Sequence, residues 1–532
     1  MRLEKTLSFE EAGMGSSLFR AYYTGSDTTR KFWPHSPTSP NWRAIIDAKK
    51  GYSSTNRTAL IQALTAQYGA LLSDNTKKLL KKLANPNCFT VCTGHQLSFA
   101  GGPAYFFYKM ISAIQLAQSL ESQFPDIQVQ PVYWMNSEDH DFAEINHFHF
   151  LGKTFSLSTE TPDIPTGEQS ASSAAVAFEQ LRNTFPNLKD YEEALQVIEN
   201  AYASAKTLSE ATRILVQTWM EPLGILVLDQ ADENLKSLFF PTIIKDFKEN
   251  ISFKAVQKSI AALENEGFDP QVNPREINFF YHHPTAGRKR WIATDAGFQV
   301  IDTDIAVPVD QIESFLRSNL KHMSTNVVTR PLYQETILPN LAYLGGPAEV
   351  HYWLQYGELF QQMNVPHPAV LMRDSFLIIP DKTWSKWKGM GLDVNDLFLR
   401  PEALEKRYLE LNEEADLDAT PFHRRHEELY NDLAALAATY DPSLNAWTRA
   451  EGTRAAKSLD TVFGRLKKAA REKHQRNLKF ISDTQTKLFP EGSFQERYWN
   501  VLHLSPNLPN FFVELTNHAN PLNPGVKIIT SE

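Results

Sequence analysis

Between Cys88 and Met135 a short apolar run, a helical run and a second apolar run follow one another, and this pattern restricts the fold more than any other feature of the 532 residues. The first run, Cys88 to Gly94, is β-branched and aromatic and predicts a strand. Tyr105 to Ser119 has helical spacing, with Gly101, Gly102 and Pro103 marking its entry. Val129 to Met135 predicts a second strand. Two strands joined through a helix build a parallel sheet. A third strand is expected at Gly224 to Asp229, with an amphipathic helix after it. Open parallel sheets bind ligands at the carboxyl ends of their strands. Gly94 and His95 occupy one such end, and Asn136 to Asp141 another. The expected class is α/β.

A chain this long exceeds what one core usually serves, so a large domain with an appended unit is expected. The sheet domain is read as residues 1–386. It carries insertions near 152–222, where Ser, Thr, Pro and Glu are frequent, and near 250–325, where short strand-like pieces alternate with turn residues. Val327 to Arg373 reads as a return to the sheet. Residues 387–488 are charged and rich in Leu and Ala. Phe422, Leu429, Leu433, Leu436 and Tyr440 form one apolar stripe, and Leu459, Phe463, Leu466 and Ala470 another that continues to Phe480 and Ile481. Asp441 and Pro442 separate the stripes, which predicts an antiparallel coiled-coil pair. Residues 489–532 are read as returning to the core.

Charge narrows the partners. With 53 basic and 62 acidic residues the net charge is -9, and only Arg465 to Lys479 gathers cations, so nucleic acid is not an expected partner. Met1 to Tyr23 lacks the apolar core of a signal peptide, and no segment approaches a membrane span, so a cytoplasmic location is expected. Cys88 and Cys92 would lie on one face of a strand roughly 13 Å apart, too far for a disulfide. Both are expected as free thiols, read as small buried hydrophobes.

Three groups of residues could carry chemistry. The first runs from Asn136 to His147, directly after a strand. In it His140 lies between Asp139 and Asp141, and a carboxylate that fixes an imidazole's tautomer suits it to proton transfer. The competing reading is a helix N-terminus decorated with acids. His140, Glu144, His147 and His149 also invite a metal, but the order is not His-Glu-x-x-His, and neither a catalytic nor a structural zinc is expected. The second group is the turn Gly94, His95, Gln96, with Lys109 on the following helix, which could present amides and cations to a phosphate or carboxylate. The third contains Arg330, Gln334, Gly345, Gly346, Glu349, Tyr352, Trp353 and Arg373. Arginine forks suit carboxylates, although core packing explains the aromatic members equally well.

Together these stretches resemble the bacillithiol-biosynthesis cysteine-adding enzymes, the BshC family. The matching text is Thr93 to Gln96 with Gly102, Pro103, Tyr108 and Lys109; Glu138 to Asp141 with Glu144 to Asn146; Arg330 to Leu332 with Gln334; Gly345 to Pro347 with Glu349, Tyr352 and Trp353; and Gly492 to Asn500. The family's turn reads Thr-Gly-Gln-Gln, from which His95 departs toward the His-rich turns of class I aminoacyl-tRNA synthetases. The resemblance implies a Rossmann-like core similar to those synthetases, with connecting insertions, and a C-terminal coiled coil used for homodimerisation. It implies a ligase joining cysteine to glucosaminyl-malate, with ATP and magnesium activating the cysteine carboxylate. His140 would then be the base, oriented by Asp139 or Asp141, and Arg330 or Arg373 would hold the malate carboxylates. Gly94, His95, Gln96, Lys109, Glu138, Gln334, Glu349 and Tyr352 would bind nucleotide or substrate. The alternatives are another ATP-dependent aminoacyl or nucleotidyl transfer to a small molecule, and a noncatalytic coiled-coil scaffold.

Overall fold

The structure, a computed structural model, describes residues 1–158, 164–412 and 418–531. Residues 159–163, within the first expected insertion, and 413–417, within the expected helical region, lie outside the described residues. The chain divides into two compact units, one chiefly Leu3–Leu377 with Phe494–Ile529 and the other chiefly Ile378–Ser493.

The first unit is built on a five-stranded parallel sheet: β1 (Cys88–His95), β2 (Gln128–Met135), β3 (Leu226–Asp229), β4 (Asn340–Gly345) and β5 (Ala369–Met372). Their order is β5-β4-β1-β2-β3, with Tyr343 opposite Cys92, Gly94 opposite Trp134 and Trp134 opposite Leu228. The chain lays β1, β2 and β3 in one direction, then returns to place β4 on the far side of β1. The order therefore reverses between β1 and β4, the position where doubly wound sheets open a ligand crevice. All of β1 through Gly94 is buried, as expected of a strand covered on both faces, and Cys88 and Cys92 are buried free thiols within it.

Helix α1 (Tyr105–Gln123) crosses from β1 to β2 and is buried around most of its circumference, from Phe106 through Ile114 without a break. Phe89 and Val91 of β1, Leu116 and Leu120 of α1, Leu341 and Leu344 of β4 and Leu371 of β5 share one core cluster. Each such aliphatic or aromatic burial stabilises by about 1.5–3 kcal/mol. The turn before α1 depends on glycine: Gly102 has φ +49°, and a Cβ there would lie 2.4 Å from that of Ser98. Pro103 precedes the N-cap residue Ala104.

The Ser- and Thr-rich stretch after Gly152 folds largely into helices, Ala174–Thr184, Glu192–Ser204 and Leu208–Met220. The second stretch forms an antiparallel sheet containing Phe279–His283, Gly287–Thr294, Gly297–Val300, Ala306–Pro308 and Met323–Thr325. Beyond it come α2 (Arg330–Ile337), then β4, then α3 (Pro347–Leu354).

The second unit is mainly helical and contains α4 (Thr420–Ala438), α5 (Ser443–Lys473) and α6 (Gln475–Leu488). α4 and α5 are an antiparallel pair: Phe422 meets Phe463 with ring centroids 5.1 Å apart, and Asn445 bonds Ala434 O at 3.1 Å near the turn. The second stripe does not run on unbroken to Phe480, because His474 separates α5 from α6. Much of the first apolar stripe is exposed, with Leu429 at 55%, Leu436 at 57% and Tyr440 at 84%, and so is Trp447 of α5, at 62%. Among the described residues no helix is long and apolar enough to cross a membrane.

Candidate functional site

A cleft of about 360 Å³ opens where the strand order reverses. Gly94, His95 and Gln96 reach it from the end of β1, Asn136 from the end of β2, Gly346 to Glu349 from the end of β4 and start of α3, and Arg373 from the end of β5. Lys109 of α1 and Arg330 of α2 complete one wall. Gly94 is closely approached: a Cβ would come within 3.3 Å of the Tyr343 hydroxyl and 3.4 Å of the Arg330 guanidinium, and these would have to give by a few tenths of an ångström.

Charge is concentrated rather than dispersed. Lys109, Arg330, Arg373 and Arg497 line the cleft against Glu144 and Glu349, an excess of two positive charges, so it favours an anionic ligand. Lys109 is a buried cation within the stretch of α1 that is buried without a break. It donates to Gly94 O at 2.8 Å and pairs with Glu349 at 2.5 Å. Glu349 also accepts from the Tyr343 hydroxyl at 2.6 Å and from Gly346 N–H at 2.7 Å. Burial pushes the Glu349 carboxyl up, but the Lys109 charge and these donors outweigh it and hold it at about 2. Arg330 donates to Gln334 Oε1, one helical turn on, at 3.0 Å and to the Tyr352 hydroxyl at 3.3 Å. Burial opposes its charge, yet Tyr343, Tyr352 and Glu349 keep it raised above its ordinary value.

His95 is held as neutral imidazole. Burial, reinforced by Lys109, lowers its pKa to about 3. Its Nδ1 lies 2.9 Å from the Gln96 carbonyl, an acceptor, so Nδ1 carries the proton and Nε2 accepts from the Tyr105 hydroxyl at 3.1 Å. The guanidinium carbons of Arg373 and Arg497 lie 5.2 and 5.6 Å from the Tyr105 ring centroid.

Several expected site residues lie elsewhere. His140, expected as the base, is exposed and faces Arg288, with Nδ1 3.1 Å from Nη1; it is not among the residues lining the cleft. Asp139 lies one step behind the lining: it accepts from Gln96 Nε2 at 2.6 Å and faces Arg288 at 3.5 Å. Burial raises its carboxyl, but the His140 hydrogen bond, Arg288 and Gln96 bring it well below the carboxylate range. Asp141 caps the short helix Phe142–Ile145 through Glu144 N–H at 3.2 Å, the acid-decorated helix start that competed with a catalytic reading. Glu138 is buried against Lys236 at 2.5 Å, and Gln334 is fully buried beneath Arg330. Glu144 is the member of the acidic stretch that reaches the cleft, and burial raises its carboxyl. Arg373 lines the cleft, with its fork engaged by Glu496 at 2.6 and 3.0 Å. His147 and His149 are bonded to Asn146 and Thr154, and among the described residues no three His, Cys, Asp or Glu side chains form a metal-holding group.

Residues missed from the sequence are Tyr105, Tyr343, Arg497 and Arg288. Arg497 lay within the Gly492 to Asn500 stretch, which signalled family but no role. Arg288, in the antiparallel sheet, had no local signal.

Residues 1–374 match the family described as bacillithiol biosynthesis BshC, N-terminal Rossmann-like domain, and residues 376–531 match its C-terminal coiled-coil domain. A relative from Flavobacterium johnsoniae named "Putative cysteine ligase BshC" is 34% identical over 97% of this chain and 96% of its own. One of the same name from Christiangramia forsetii is 32% identical over 98% of each chain. Another from a Geobacillus strain is 26% identical over 87% of this chain and 88% of its own.

Proposed function

The chain belongs to the BshC family of bacillithiol biosynthesis, and on that premise we propose that it is a ligase forming an amide between the carboxylate of cysteine and the amine of glucosaminyl-malate. The observation that carries this reading is the cationic cleft at the strand-order reversal, where Lys109, Arg330 and Arg497 surround a space of about 360 Å³. A scaffold working only through its helices has no need of such a cleft, and the relatives' shared name supports an enzyme.

A carboxylate resists amide formation until one oxygen becomes a leaving group, and ATP would supply that activation. The lining suits a nucleotide's phosphates, which would themselves carry an accompanying magnesium. The chain's own residues do the rest. Arg330, kept charged, and Lys109 stabilise negative charge on the ligand. The attacking amine must lose a proton. His140 stands away from the lining, so Glu144, whose carboxyl is raised, is the better placed acceptor. His95, neutral and bonded through Nδ1 to Gln96 and through Nε2 to Tyr105, holds the turn and Tyr105 in place rather than titrating. The exposed apolar side chains Leu429 and Leu436 of α4 and Trp447 of α5 support pairing with a second copy of the chain.

The test is incubation with cysteine, glucosaminyl-malate and ATP, followed by mass spectrometry for the conjugate and for AMP or ADP. Absence of the conjugate with folded protein would overturn the reading.

A further inference from the structure

A second cavity, of about 290 Å³, adjoins the cleft and shares Pro347, Ala348, Arg373 and Arg497 with it. Its other walls include Gly13 to Ser16, Gln271 and Glu496. We propose that the site is two-chambered, and that this second chamber takes the carboxylate-bearing end of the acceptor while the reacting amine lies in the first. This rests on the ligase reading above and deepens it, by placing the acceptor's anionic group at residues outside the Lys109 and Arg330 wall.

The argument is one of unused donors. The charged lining of the second chamber is Arg373, Arg497 and Glu496, one positive charge in excess. Glu496 does not repel an incoming anion strongly, because both its oxygens are engaged: Arg373 reaches it at 2.6 and 3.0 Å and Ser375 Oγ at 2.9 Å. That pairing leaves Arg373 Nε–H buried without an acceptor, and a buried donor left unmade is costly. Arg497 is exposed, and among the described residues it makes no ion pair; its guanidinium lies over Tyr105 at the boundary of the two chambers. Arg330 and Lys109, in contrast, already have partners within the first chamber. A carboxylate entering at the boundary would meet the planar fork of Arg497, the geometry best matched to two carboxylate oxygens, and the field of Arg373.

The test is titration calorimetry of the full-length protein with glucosaminyl-malate and with its neutral malate diester. The free dicarboxylate should bind roughly tenfold to a hundredfold more tightly, the range for one charge-assisted contact. Arg497→Ala should bring the two affinities together, and Arg497→Lys should restore part of the difference. Gln271→Trp, which crowds the second chamber and does not line the first, should also abolish the preference. Equal affinities in the unsubstituted protein, or a preference unchanged in Arg497→Ala or Gln271→Trp, would overturn the second chamber as the anion site. The preference is read from binding alone. An intact preference without conjugate in the mass-spectrometric assay would therefore overturn the ligase reading and leave the chamber standing.

Discussion

Exchange of Glu349 for Gln should destabilise the cleft far more than the loss of one hydrogen bond would. The Lys109 side chain is 4% exposed and Glu349 22%, and their charged atoms are 2.5 Å apart. Unit charges about 4 Å apart interact by about 4 kcal/mol at an effective dielectric of 20. Removing one partner of a buried pair costs about 3–5 kcal/mol, because the other charge is left uncompensated. Glu349→Gln still offers an oxygen to Tyr343 or Gly346, so most of the loss comes from Lys109. Lys109→Met should cost a similar amount through the stranded carboxylate. The double variant should be less destabilised than the sum by at least about 2 kcal/mol. Hydrogen exchange of peptides from α1 and α3 reads this locally, about 3 kcal/mol corresponding to roughly a hundredfold loss of protection. The pH dependence follows from the carboxyl's fall from an ordinary 4.5 to about 2. A depressed carboxyl contributes its full stabilisation above its unfolded value and loses it as pH falls toward the folded one. The penalty of Glu349→Gln should therefore be the same at pH 7 and at pH 5.5. Additive single variants, or a penalty that vanishes by pH 5.5, would refute the pairing argument.

Arg288→Ala should raise the Asp139 carboxyl from well below its ordinary range, because it removes a guanidinium 3.5 Å away; a carboxyl NMR titration that does not move would count against the contact. His95→Gln should leave the shape of the pH-rate profile between about pH 5 and 8 unchanged, since an imidazole held at about 3 does not titrate there; loss of an ionisation in that window would show that His95 does. Leu436→Glu combined with Trp447→Glu should convert a dimer to a monomer in sedimentation velocity, as charges replace apolar side chains that are 57% and 62% exposed; an unsubstituted protein already monomeric at micromolar concentration would reject pairing through these side chains.

The parallel sheet was legible because its strands are short apolar runs buried on both faces, and α1 could be read from Tyr105 onward by spacing alone. The core between Cys88 and Met135 thus follows from local pattern. The Ser- and Thr-rich stretch after Gly152 was less readable: composition suggested an insertion but did not reveal helices such as Glu192–Ser204, whose stability comes from packing Leu195 and Ile198. At the site, Gly94, Lys109, Arg330, Glu349 and Tyr352 were found because each follows a strand end or sits on the next helix. Arg497 and Arg288 were not, because they arrive from segments more than a hundred residues away from the strands they serve. Periodicity carries no information about such meetings.

The acidic stretch after β2 shows why residue type alone misplaces a role. Four ionisable residues in a row, Glu138 to Asp141, suggest catalysis, yet the backbone directs them to different tasks. Glu138 turns inward to Lys236, Asp139 bonds Gln96, His140 faces Arg288 and Asp141 caps a helix. Three of the four thereby tie β2's end to Lys236, to the β1 turn and to the antiparallel sheet that carries Arg288. Their link to the cleft runs through Gln96, which lines it and is held by Asp139, and through Glu144, whose helix start is capped by Asp141. A cluster of charges after a strand is therefore better read by asking which member the next turn returns to the crevice. Here the short helix after Asp141 brings back Glu144.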